Sequence, residues 1–438
     1  MAPAGMSAPA GRWSRGPLRH RNFRLLMGCD VTSVTGSAMA AVAAPFAVLH
    51  VGGTATDVGY VAAAGLIPTI IFMLFGGVIA DRIPRQRVMV AANLAQGATQ
   101  SVFAVLVLTG HARVWEMALL TAARGGAFGF FFPAAQGLLP QTVEPGDLAA
   151  ANATVSLGLN AAQIGGSALG GLVVAAAGPG WGLVADAASF GVSALMRTGM
   201  RLAGLPPAES HGIVHELREG WRAFTSRRWL WAIVVQFGFV NAVSTGTYLV
   251  LGPIVADRRL GGAGSWGLIL AARAIGSVLG AALMLRWRPR RLLLVASLAG
   301  PFLALPLLGL SVPLPTAAIA LLALVAGVAS DVFGVNWNVA LQEQVPPGML
   351  SRVSAYDGLG SYALTPVGTV LAGPVAAAIG ITATLAGGGL AIFASVLAVL
   401  CVADVRRLAR RPLSPATAAL ADPAALPGTA AGQPETAA

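Results

Sequence analysis

Long apolar runs separated by short polar turns fill the chain from residue 23 to residue 404. Each holds about 20 residues, enough for a helix to cross the hydrocarbon core of a bilayer. None shows the apolar/polar alternation of a membrane β-strand, so a β-barrel is excluded. The pattern predicts helices over 23–50, 56–80, 88–109, 114–139, 149–177 and 181–200, then over 229–255, 264–285, 292–310, 316–341, 353–379 and 382–402. The predicted fold class is an all-α polytopic membrane protein, with twelve transmembrane helices in two six-helix halves.

The longest internal connection sets the domain organisation. Residues 1–22 form a Pro/Ala/Gly-rich basic lead-in, expected to be disordered and cytoplasmic. The first half is 23–200, the linker 201–228, the second half 229–404, and the tail 405–438 is Ala/Pro-rich and expected to be disordered. Within the linker, Ile213, Leu217 and Trp221 recur at four-residue spacing beside Arg218 and Arg222. That spacing predicts an amphipathic helix over Ile213–Phe224, lying on the membrane surface or the base of the protein.

Composition agrees with this reading. Hydrophobic residues make up 56% and charged residues 10%, whereas soluble domains carry roughly 25% charged residues. The 55 glycines suit close helix packing in lipid. A formal charge of +11 is compatible with nucleic-acid binding, but its distribution is not. Arg113, Arg258 and Arg259 fall in outer loops, Arg124 and Arg273 lie within spans, and every other arginine, Arg197 included, lies on the side of the termini. This bias predicts both termini in the cytoplasm, and no nucleic-acid partner. Cys29 and Cys401 sit in spans at opposite ends of the chain and form no disulfide framework or metal spacing. The first apolar run is too long for a cleavable signal.

Ionisable groups within spans are costly and mark pathways or proton relays. Here they are Asp30, Arg124 and Asp331, with Asp186 and Arg273 as weaker candidates. At about 1.5 Å per residue they lie roughly 12 Å (Asp30), 15 Å (Asp331) and 21 Å (Arg124) from the cytoplasmic edge. Pairing of Arg124 with either Asp30 or Asp331 is therefore feasible. Asp186 is near the outer end of its span and is expected to reach water. Span 7 is unusually polar, with Gln236, Asn241, Ser244, Thr245, Thr247 and Tyr248, and Gly238 and Gly246 are expected to loosen it. Span 10 adds Asn336, Trp337 and Asn338. These groups suit hydrogen bonding to a polar, ring-rich ligand, with Phe46, Phe128, Phe132 and Trp337 as apolar contacts. Hydrogen bonds between helices explain any single member equally well. The chain has no phosphate-binding loop, no metal-spaced His/Cys/Asp cluster and no nucleophilic triad, so neither a cofactor nor an enzyme activity is expected.

A dense charged knot follows span 2: Gly77, then Asp81, Arg82, Arg85 and Arg87. The Gly-x-x-x-Asp-Arg pattern, together with two six-span halves and a basic central loop, resembles the major facilitator superfamily over about residues 20–404. Pro84 and Gln86 depart from that family's loop signature. The run Phe132-Pro133-Ala134-Ala135-Gln136 with Leu139-Pro140, and the later Gln342-Glu343 with Val345-Pro346 and Arg352-Val353, resemble its drug and siderophore exporter branch, which includes macrolide efflux and enterobactin export proteins. Gly165-Gly166-Ser167 stands where the branch's antiporters usually carry Gly-Pro. The resemblance implies that Asp81 gates the cytoplasmic side against the start of span 11. It also implies that spans 1, 4, 7 and 10 line a central cavity, which directs Asp30, Arg124 and Asp331 toward it.

The function so implied is secondary active export of a hydrophobic or amphiphilic small molecule by alternating access, in exchange for protons. A siderophore exporter, an uncoupled facilitator and, from another class, a non-transporting membrane sensor are the alternatives. The expected partners are a small-molecule substrate, protons and the lipid bilayer. The expected state is a monomer in the inner membrane.

Overall fold

The computed structural model describes residues 16–136, 138–144, 147–200, 218, 221–287, 289–346 and 349–408, with side chains left out at 74–82, 136, 149, 350–352 and 355. Most of the expected surface helix, the tail beyond residue 408 and the lead-in before residue 16 lie outside the described residues. Among the described residues every regular element is helical.

The first six long helices are α1 (Arg21–His50), α2 (Ala55–Arg82), α3 (Arg85–Leu108), α4 (Val114–Gln136), α5 (Leu148–Ala177) and α6 (Pro179–Thr198). The second six are α7 (Arg228–Leu260), α8 (Ala263–Arg286), α9 (Leu292–Ser311), α10 (Thr316–Gln344), α11 and α12 (Ile381–Leu400). Helix α11 comes in two pieces, Leu350–Tyr362 and Thr365–Ile379, parted by a turn at 363–364. Pro366 opens the second piece, where its missing N–H leaves no helical bond unmade.

Eleven of these helices are long and apolar enough to cross a membrane. Helix α6 is the one left out, and it carries Asp186 and Arg197, both fully buried. Its polarity is met inside the protein by neighbouring helices.

In the first half α1 packs on α5 and α6, α2 on α4, and α3 on α4 and α6. In the second half α8 and α9 pack on α10, and α7 on α11 and α12. The halves join through α5 on α8 and α2 on α11. Small residues allow these approaches. A Cβ on Gly171 would stand 2.9 Å from the Ala263 carbonyl oxygen, and one on Gly59 would stand 2.6 Å from that of Thr369. A Cβ on Gly373 would overlap the backbone of Ala55 and Thr56. All three contacts lie near helix ends remote from the chain termini. The second piece of α11 makes the α2 contact, while the first piece packs chiefly on α7.

Helix α7 changes winding along its length. It is α-helical to Ser244, π-helical over Thr245–Leu251, and π-helical again over Ala256–Leu260 after one α turn. Pro253 in that turn donates no backbone hydrogen bond, which favours irregular winding. Gly238 and Gly246 are close-approach points: they face the carbonyls of Gly360 and Gly368 on α11.

Candidate functional site

The site is built on one face of α1. Asp30, Ser33 and Ser37 recur at helical spacing and open onto a cavity of about 690 Å³ lined by the first half, with Leu249 of α7 as its second-half contact. Arg197, in the last turn of α6, pairs with Asp30. A cation at that helix end is favoured by the helix dipole. The Arg197 side chain is 0% exposed and that of Asp30 is 22% exposed, so only the carboxylate reaches the cavity. The guanidinium lies 5.0 Å from the Phe131 ring centre. Gln86 fixes the chain there by donating to the carbonyls of Arg197 at 2.6 Å and Met200 at 3.0 Å.

A second pair lies deeper. Arg124 of α4 meets the Asp186 carboxylate at 3.3 Å. The Ser37 hydroxyl donates to Asp186 at 3.2 Å and accepts from Arg124 at 3.2 Å. Asp186 is fully buried, while Arg124 is 28% exposed and lines the cavity. The expected pairing of Arg124 with Asp30 or Asp331 is thus corrected, and so is the expectation that Asp186 reaches water. Asp186 and Arg197 are eleven residues apart, about three helical turns, so α6 turns both toward α1. The antiparallel α1 meets them with Ser37 and Asp30.

The rest of the cavity is amphiphilic. Phe128 and Phe131 stack at 6.0 Å and form an aromatic wall. Asn93, Gln96 and Gln163 supply amides. Asn93 is fully buried, and neither atom of its amide has a hydrogen-bond partner. A buried amide in that state is poised to meet a polar group entering the cavity.

The other expected site residues are distributed differently. Phe132 is exposed beside Phe128, at 6.2 Å. Phe46 is buried in the apolar core. Asp331 stands against α8, beside Ser277 and Arg273. Asn241 donates to the Ser361 carbonyl on α11 at 2.9 Å, and the buried Asn336 donates to the Val332 carbonyl at 2.7 Å. Gln236 is buried, and its carbonyl oxygen has no partner. Thr245 is half-buried at the start of the π segment. Tyr248 is buried 5.0 Å from the Trp266 ring, with Arg273 at 5.5 Å over its own ring. Trp337 donates to Asp357 at 2.9 Å. Asn338 is exposed and donates to its own helix at Gly334.

In the charged knot, the side chains of Gly77, Asp81 and Arg82 lie outside the described ones. Arg85 is half-buried and Arg87 exposed at the start of α3. Sequence reasoning missed Arg197, Ser37, Asn93 and Asp357. The opposed charges three turns apart on α6 were the available signal for the first of these.

The profile of the transmembrane secretion effector family matches residues 11–421. The multidrug efflux pump Tap of Mycolicibacterium fortuitum is 29% identical over 392 residues, covering 84% of this chain and 91% of that one. The enterobactin exporter EntS of Escherichia coli O1:K1 / APEC is 27% identical over 410 residues, covering 90% and 94%. The crystal structure of the nucleoside transporter NupG superposes with a TM-score of 0.68 at 13% identity, over 86% of this chain and 98% of that one. A peptide transporter POT in complex with sulfate gives 0.69 at 14% identity, over 90% and 96%. The fold is that of the major facilitator transporters, and the chain belongs to the transmembrane secretion effector family.

Proposed function

We propose that the protein exports a hydrophobic or amphiphilic small molecule, held in the first-half cavity, in exchange for protons. The observation that carries this reading is the cavity itself: an aromatic wall faces amides and two ion pairs. The relatives named as a multidrug efflux pump and an enterobactin exporter support the direction and the substrate class. Asp30 is the proton-exchange group in this reading, because it is the ion-paired carboxylate that opens onto the cavity. Arg124, tied through Ser37 to Asp186, senses ligand beside it, and Asp331 is a secondary coupling group. Substrate and proton compete at Asp30: substrate binds with the Asp30–Arg197 pair intact, whereas a proton on Asp30 breaks that pair.

The protein works as a monomer in the inner membrane, with both termini cytoplasmic. The contacts at the remote helix ends then close the outer side, and the cavity faces the cytoplasm. Rocking of the halves alternates access. In the opposite state Asp81 meets the start of α11, where a carboxylate suits a helix N-terminus; Gly77, Arg82, Arg85 and Arg87 shape that turn. A catecholate siderophore is the second reading, favoured by the partly exposed Arg124, which offers an anion a cationic partner.

Proteoliposomes with an imposed pH gradient test this. Macrolides, other hydrophobic antibiotics and catecholate siderophores are offered to wild type and Asp30→Asn. At least one compound is expected to move with the gradient in wild type, and at least tenfold more slowly in Asp30→Asn. Equal flux with and without the gradient would leave a facilitator. No movement of any compound by folded protein would favour a sensor.

A further inference from the structure

The second half holds a smaller cavity of about 260 Å³ between α7, α10 and α11. Phe237 and Phe333 stack along it at 4.4 Å, tilted by only 2°. Trp337 continues the row, 6.4 Å from Phe333. One carboxylate, Asp357, lines the same space. It accepts hydrogen bonds from the Trp337 indole at 2.9 Å and the Ser361 hydroxyl at 3.2 Å. Both donors are neutral, and among the described residues no arginine forms an ion pair with Asp357. In the first half, by contrast, Asp30 and Asp186 each have an arginine.

We infer that this cavity binds the positively charged, ring-bearing end of an amphiphilic ligand, with Asp357 as its counter-ion. A carboxylate at membrane depth without a cation is costly, and a cation arriving from outside relieves that cost. A carboxylate offers about four lone-pair sites. Trp337 and Ser361 use two of them, which leaves acceptors for an ammonium group. The aromatic faces beside it attract the same cation through their quadrupoles. The volume falls below the roughly 300–1,000 Å³ of pockets that enclose drug-sized ligands. It therefore takes one ring system with its cationic substituent. Asn338 and Tyr362, both exposed, stand at its rim, where the rest of the ligand leaves. The inference deepens the export reading and rests on it: it assigns cationic aromatic amphiphiles to the second half, apart from the ion-paired cavity of the first.

A matched pair of probes tests it. 1-Pyrenemethylamine is protonated at neutral pH, and 1-pyrenemethanol carries the same ring without charge. Full-length protein in nanodiscs is expected to bind the amine at least ten-fold more tightly than the alcohol. Asp357→Asn is expected to bring the two within two-fold of each other. Equal affinities in wild type, or an amine preference that survives Asp357→Asn, overturns the assignment. Should that variant not fold, an aryl-azide derivative of the amine is cross-linked to wild type. Labelling of the α10 and α11 peptides, blocked by excess amine, supports the site, and labelling confined to the first-half cavity overturns it. Flux of the amine is read in parallel in vesicles. Its absence removes the export reading while the binding difference stands. Its presence without an amine preference removes the cation site while export stands.

Discussion

Arg197→Met is expected to destabilise the protein by about 3 kcal/mol, the low end of the roughly 3–5 kcal/mol lost when one partner of a buried ion pair is removed. The low end applies because Asp30, left alone, is 22% exposed on the cavity side and can take up a proton. The reverse case is asymmetric. A fully buried guanidinium cannot shed its charge, so Asp30→Asn is expected to be at least as damaging. The double variant Asp30→Asn with Arg197→Met removes both charges and should recover most of the loss. A double-mutant cycle on thermal unfolding in detergent reads the coupling, expected at about 2 kcal/mol or more. A single-variant loss below about 1 kcal/mol, within the range of exposed pairs, would mean that the pair does not hold α6 on α1.

Gly373→Leu is expected to open the side of the molecule remote from the termini. Its Cβ would overlap the backbone of Ala55 and Thr56, and backbone cannot give way as a flexible side chain can. Overpacking of this kind costs about 1–3 kcal/mol. The cost falls on the state in which α2 and α11 touch, so the balance between states shifts by roughly tenfold per 1.4 kcal/mol. The readout is a cysteine at Ala41, which lines the first-half cavity, challenged from outside with an impermeant maleimide. Labelling should be at least ten-fold faster with Gly373→Leu than without it. Gly165→Ala, whose added Cβ meets nothing within 4 Å, should leave the rate unchanged. Equal rates with and without the leucine would mean that this contact does not gate access.

The helices were legible in the sequence because a span needs only length and apolarity, which are local properties. The expected 114–139 helix ends at Gln136 and the expected 264–285 helix covers Ala263–Arg286. The site was legible only in part. Asp30 and Arg124 stood out as charges in apolar runs, but their partners depend on the register of α1 and α4 against α6, which no single run encodes. Arg197 was hidden by its place: an arginine at the inner end of a span reads as a loop residue under the charge-bias rule. Asp186 was only a weaker candidate by the same logic at the opposite end. Its burial follows from α6 lying between α1 and α3. Asp357 sits early in α11 among Ser, Tyr and Gly residues, where nothing local marks it as facing an aromatic cavity. Phe46 shows the converse limit: an aromatic in a span is as readily core as ligand contact, and here it is core.

The central claim is that ligand and proton meet at Asp30. The most direct measurement is proton release on ligand addition, followed with a pH-sensitive dye in weakly buffered detergent. The ligand is a compound that wild type moves in the gradient assay. Wild type, at a pH low enough that part of Asp30 carries a proton before ligand is added, is expected to release protons in a saturable way, with the same midpoint as binding. Asp30→Asn, verified as folded and still binding, is expected to release none. Release that persists undiminished in Asp30→Asn, or its absence from wild type at saturating ligand, would contradict the claim.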